Sequence, residues 1–93
     1  MIKSFRDKRT AQIFAGKRVP RLPTEIQRRA LNKLRIIDKS KHLEELRIPP
    51  GNCLESLRGN RLGQHSIRVN EQWRICFHWE GSDAHKVEIT DYH

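Results

Sequence analysis

Arg68, Arg74 and the closing run Asp91-Tyr92-His93 are the residues whose types and positions suggest chemistry, and that chemistry is attack at a phosphate. Each arginine lies in a segment that alternates apolar and polar residues, on the polar positions, so the two can share one face of a sheet. RNA cleavage by a 2′-hydroxyl needs a base for that hydroxyl, positive donors for the crowded phosphate and an acid for the departing 5′-oxygen. Arginine supplies the donors bidentately and keeps its charge. Tyr92 and His93 can share the proton transfer, and Tyr92 can also stack on a base. Such a reaction requires neither a metal nor another cofactor. The bland alternative is that surface arginines are solvated or paired with a neighbour such as Glu88, and that a terminal histidine frays. Residue types alone leave both readings open.

Other constellations carry less. His65, Cys76, His78 and His85 are soft-metal ligand types, but Cys-x-His lacks zinc-finger spacing and has no second cluster. Gly59 and Gly63 flank Asn60-Arg61-Leu62 without a phosphate-loop pattern and are better read as a turn. Cys53 and Cys76 are too few for a disulfide scaffold, and nothing supports either as a nucleophile.

The elements that must position these groups follow from periodicity. Ile2-Lys3-Ser4-Phe5 alternates and predicts a short opening strand; a brief helix through Ala11, Ile13 and Phe14 ends at Gly16. Thr24 is placed as an N-cap with Gln27 at the capping-box position. Ile26, Ala30, Leu34 and Ile37 then recur at helical spacing, with arginines and lysines on the other face. Ser40 is placed to cap one more turn carrying Leu43 and Leu46. Pro49-Pro50-Gly51-Asn52 breaks the chain, and beyond it the period becomes two. Cys53–Arg58, Gln64–Asn70, Trp73–Trp79 and the stretch before Asp91 read as strands, with turns at Asn70-Glu71-Gln72 and Gly81-Ser82-Asp83. The expected fold is α+β: an N-terminal strand and two helices packed on one face of an antiparallel sheet, as one domain over residues 1–93. The other sheet face should display Arg68, Arg74, Cys76, His78, Glu88 and Thr90.

The net charge of +8 favours a polyanionic partner. It is unevenly spread: residues 1–47 hold 14 Lys/Arg against 5 Asp/Glu, whereas residues 48–93 hold 5 against 6. A solvated helix face or an acidic protein partner would explain the excess equally well. No apolar h-region opens the chain and no apolar run reaches membrane-spanning length, so a reducing cytoplasmic location is the default expectation.

Three stretches together carry a resemblance. They are Pro49-Pro50-Gly51-Asn52-x-Leu54-Glu55-x-Leu57, then Gly59-x-Arg61-x-Gly63-Gln64-x-Ser66-Ile67-Arg68-Val69-Asn70-x-Gln72-Trp73-Arg74-Ile75-Cys76-Phe77, and Val87-Glu88-Ile89-x-Asp91-Tyr92-His93. With the opening Met1-Ile2-Lys3-Ser4-Phe5, they resemble HigB toxins of the RelE/ParE superfamily over nearly the whole chain. The resemblance implies a RelE-like fold and a bacterial toxin of a type II toxin–antitoxin pair. Such a toxin cleaves mRNA in the ribosomal A site. A HigA-like helix-turn-helix antitoxin neutralises it, and operator DNA is met only through the antitoxin complex. It further implies that Arg74 stabilises the phosphate while Asp91, Tyr92 and His93 position and protonate the RNA. Arg58 fits the family's basic position before the Gly-rich turn, and Arg68 lies on the matching face. Some HigB toxins carry a histidine near the position of Glu55, which makes Glu55 the substitute base here. Arg28, Arg29 and Lys33 on the basic helix would then grip RNA of the ribosome. Two alternatives share the fold class: a ParE-like poison of DNA gyrase that cuts no RNA, and a nucleic-acid-binding module without toxicity.

Overall fold

A computed structural model describes residues 1–91 of the chain; Tyr92 and His93 lie outside the described residues. Helix α1 (Lys8–Phe14) starts where Asp7 accepts a hydrogen bond from the Thr10 amide and ends at Gly16, whose φ of +86° suits a residue without a Cβ. Helix α2 (Thr24–Lys39) buries Ile26, Ala30, Leu34 and Ile37, the stripe expected from the sequence. Its start differs from expectation. Pro23 occupies the N-cap, and Gln27 does not close a capping box. Gln27 is buried and instead ties down the incoming loop, accepting from the Val19 amide and donating to the Val19 and Leu22 carbonyls. Three backbone groups at the buried Val19 and Leu22 are thereby satisfied, which outweighs one cap bond. Ser40 likewise ends α2, its hydroxyl donating to Ile36, while His42 begins the following 3-10 turn, Leu43–Arg47.

Four antiparallel strands follow, in spatial order β1 (Glu55–Ser56), β2 (Gln64–Arg68), β3 (Trp73–Glu80) and β4 (Asp83–Asp91). The expected strand over Cys53–Arg58 shrinks to two residues because Cys53 turns into the left-handed region (φ +47°) and Leu57 dips into the core. Asn70 builds the β2–β3 turn, its side chain accepting from the Gln72 and Trp73 amides. Between β3 and β4 a bulge shifts the register at Cys76/His78. Alternation with Glu88 and Thr90 would put Lys86 on their face, but with φ +51° it is the extra residue and leaves that row. The bulge lets Ala84 join Val87 and Ile89 under the helices, all fully buried.

The opening segment forms two parallel bridges to β4, Ile2 with Ala84 and Phe5 with Val87, rather than a continuous strand. Ile13, Ile26, Leu34, Ile37, Ile67, Ile75, Phe77, Val87 and Ile89 fill one core between the helices and this sheet face. Among the described residues, no helix is long and apolar enough to cross a membrane.

Candidate active site

Pairing across the strands sorts the second sheet face into rows. Glu55, Ser66, Cys76 and Glu88 form one row, and Arg68, Arg74 and Thr90 the next. The expected grouping of Arg68 with Arg74 is therefore a direct cross-strand pair. The face is not open, however. Ser66 and Cys76 are fully buried and Arg74 is only 9% exposed, although alternation alone would display them to solvent. The segment after Pro50 folds back beside β2 and covers the row.

Arg74 is held from three sides. Its Nε donates to Ser66 Oγ at 2.8 Å, and its Nη2 donates to the Cys53 carbonyl at 2.6 Å. Glu55 Oε1 lies 3.7 Å from the same Nη2 and is about half exposed. A guanidinium taken out of water costs several kcal/mol unless such acceptors surround it. The Ser66 hydroxyl and the Cys53 carbonyl are both neutral oxygens, which hold the guanidinium in place and leave its charge intact. The half-exposed Glu55 contact contributes little to stability, yet it leaves a carboxylate beside Arg74.

Asn52 anchors the covering segment. It is fully buried, donating to the Leu46 and Ile48 carbonyls and accepting from the Lys33 ammonium. The path from α2 to Arg74 thus runs Lys33, Asn52, Cys53 carbonyl, guanidinium. Asn52→Ala should destabilise the protein by about 2–3 kcal/mol, because two carbonyls and an ammonium lose their partner. Thermal unfolding should show a drop of roughly 10 °C or more for a chain of this size.

Asp91 pairs with Trp73 at the end of β4, and its Oδ2 accepts from Gln72 Nε2 at 3.0 Å. Arg9 pins the same end, lying 5.6 Å over the Trp73 ring and donating to the Ile89 carbonyl. The expected roles of Tyr92 and His93 fall outside the described residues. Arg68 does not converge with Arg74 on one point: its Nε donates to the Asn70 carbonyl, and it lines a cleft with Arg29 and Lys33. Arg28 instead lines a groove with Lys17 and Arg18, one helical step around α2. The three α2 residues grouped in the sequence therefore divide between two surfaces. Arg58 is exposed just before the 3-10 turn Gly59–Arg61. Glu88 is bonded to Arg61 (2.9 Å) and lies 3.5 Å from Arg6, so neither sheet arginine takes it.

The histidines and cysteines do not assemble a centre. Among the described residues, no group of three or more His, Cys, Asp or Glu is arranged to hold a metal ion. Burial, with the nearby His78, pushes the His65 pKa down, so its ring favours the neutral form. Burial pushes the Cys76 thiol up, which keeps it unreactive.

The sequence assigned no part in the site to Ser66, Asn52, Gln72 or Arg9, although Asn52 and Gln72 were placed in a break and a turn. Ser66, Asn52 and Gln72 fall within the motif stretches, but nothing local marks Arg9.

A family model describing the RelE-like toxin HigB of type II toxin–antitoxin systems matches residues 3–93. The chain belongs to the HigB-like toxin family. Toxin HigB-1 of Vibrio cholerae serotype O1 is 42% identical over 80 residues, covering 85% of this chain and 84% of that protein. Endoribonuclease HigB of Proteus vulgaris is 33% identical over 93 residues and the full length of both chains. An uncharacterized protein of Haemophilus influenzae is 30% identical over 72 residues, 77% of this chain and 71% of its own. The match spans the 48–58 segment, the Arg74 strand and the C-terminal end alike, so all parts of the candidate site belong to the HigB-like domain. Membership in this family places the chain among toxins that act opposite an antitoxin.

Proposed function

We propose that the protein is a ribosome-dependent endoribonuclease that cuts mRNA in the A site and so arrests translation. The observation that carries this is the Arg74 guanidinium, buried, fixed by the Ser66 hydroxyl and the Cys53 carbonyl, and set beside the Glu55 carboxylate. The full-length likeness to a protein named as an endoribonuclease supports it.

In this reading Arg74 donates to a non-bridging oxygen of the scissile phosphate. Glu55 takes the proton of the 2′-hydroxyl as that oxygen forms a bond to phosphorus. The bond from phosphorus to the 5′-oxygen breaks, and His93 or Tyr92 returns a proton to the leaving oxygen. The products are a 2′,3′-cyclic phosphate and a 5′-hydroxyl. Asp91, held by Gln72, orients the C-terminal groups, Arg58 meets RNA at the edge of the site, and Arg28, on its separate surface, meets RNA of the ribosome. The partners are the ribosome with its mRNA, and a HigA-like antitoxin through which alone operator DNA is met. The protein acts in the bacterial cytoplasm.

Mapping mRNA 5′ ends on ribosomes after brief induction tests the proposal. Breaks in register with codons are the expected result. DNA damage that depends on gyrase, with intact mRNA, would replace it by the ParE-like alternative.

A further inference from the structure

The cleft between α2 and the β2–β3 turn encloses about 600 Å³ and is lined by Arg29, Lys33, Arg68 and Glu71 among others. Three cations from two separate elements line it beside a single carboxylate, Glu71. Among the described residues, none of the three forms an ion pair; Arg68 bonds a carbonyl and Lys33 an amide oxygen. Three like charges gathered around one carboxylate destabilise the empty protein, and a bound anion relieves that. Burial and the neighbouring Arg29 push the Lys33 amine below its ordinary pKa, which an arriving anion would reverse.

Position decides which anion. Arg68, which lines the cleft, is the direct cross-strand partner of Arg74, so the two arginines start from adjacent strands at one register position. We infer that this cleft binds a phosphate of the same RNA strand that is cut, next to the scissile one, rather than RNA of the ribosome. Arg29 and Lys33 then set where along the strand the cut falls, while Arg28 faces elsewhere. The inference rests on the endoribonuclease reading for its substrate, and its test reads binding alone.

The probe is a short single-stranded oligoribonucleotide with a single 2′-deoxy residue at the cut position, titrated with the isolated toxin across salt concentrations. Arg29→Ala and Lys33→Gln, the second keeping a donor for Asn52, should each weaken binding about tenfold at low salt. Each should also reduce the slope of log affinity against log salt by about 0.7, the value per phosphate on a single strand. Arg35→Ala removes an equal charge from an exposed position of α2 and should change neither. Thermal unfolding verifies that each variant is folded. Equal losses with Arg35→Ala, unchanged slopes in both cleft variants, or no binding by the unaltered toxin would overturn the inference. A toxin that binds with these slopes but cuts no mRNA on ribosomes leaves the cleft assigned and removes the nuclease reading instead.

Discussion

Arg74→Ala is expected to lower mRNA cleavage on ribosomes by about 10²–10³-fold, the usual consequence of deleting one preorganised donor to a developing anion. The same change should destabilise the fold, because the Cys53 carbonyl and Ser66 hydroxyl lose a buried donor at 2.6 and 2.8 Å. A loss of about 1–3 kcal/mol follows from leaving such acceptors without a partner. The two effects are separable. Arg74→Lys restores a charge and one bond, yet a single ammonium cannot match the planar fork that spans Ser66 and the Cys53 carbonyl. Lysine should therefore recover part of the thermal stability and little of the cleavage. Single-turnover cleavage on programmed ribosomes, paired with melting curves, reads both. Folded Arg74→Ala protein cutting at the full rate would move the phosphate site elsewhere.

Removing His93, or replacing Tyr92 by Ala, should cost about 10²–10⁴-fold in cleavage if these groups supply the acid for the leaving oxygen. Melting temperature and capture by the antitoxin should hold. The described core cluster lies between Ile13 and Ile89, and the β3–β4 pairing is traced as far as Trp73 with Asp91. A substrate with a better leaving group, a 5′-thio linkage, needs little protonation. It should therefore be cut at nearly equal rates by the unaltered and His93-deleted toxins. Persistent loss with that substrate would assign the C-terminus to binding rather than proton transfer. Full activity of both variants on ordinary mRNA would exclude it from the reaction.

Much of the fold was legible because burial imposes periods. The α2 stripe at Ile26, Ala30, Leu34 and Ile37 and the alternation of Ile67, Ile75, Val87 and Ile89 are each one-sided surfaces that must face a common core. Local rules failed where a distant acceptor competed with a nearby one. Gln27 occupies a capping-box position but bonds a loop five to eight residues away. Lys86 fits the alternating pattern, yet the bulge is set by how β4 must twist to bring Ala84 under the helices.

Sequence alone determined the arginines of the β2–β3 pair, their common face and the family through its motif stretches, because side-chain parity along a strand is a local property. It also located the net charge on the helical half. Tertiary structure alone decided what each of these groups touches. The loop after Pro50 turned an apparently open face into a buried socket for Arg74, and the 100° step between Arg28 and Arg29 sent neighbouring charges to different surfaces. Those contacts join residues up to 21 positions apart for Arg74 and 80 for Arg9, and no local pattern records which carbonyl a guanidinium will meet.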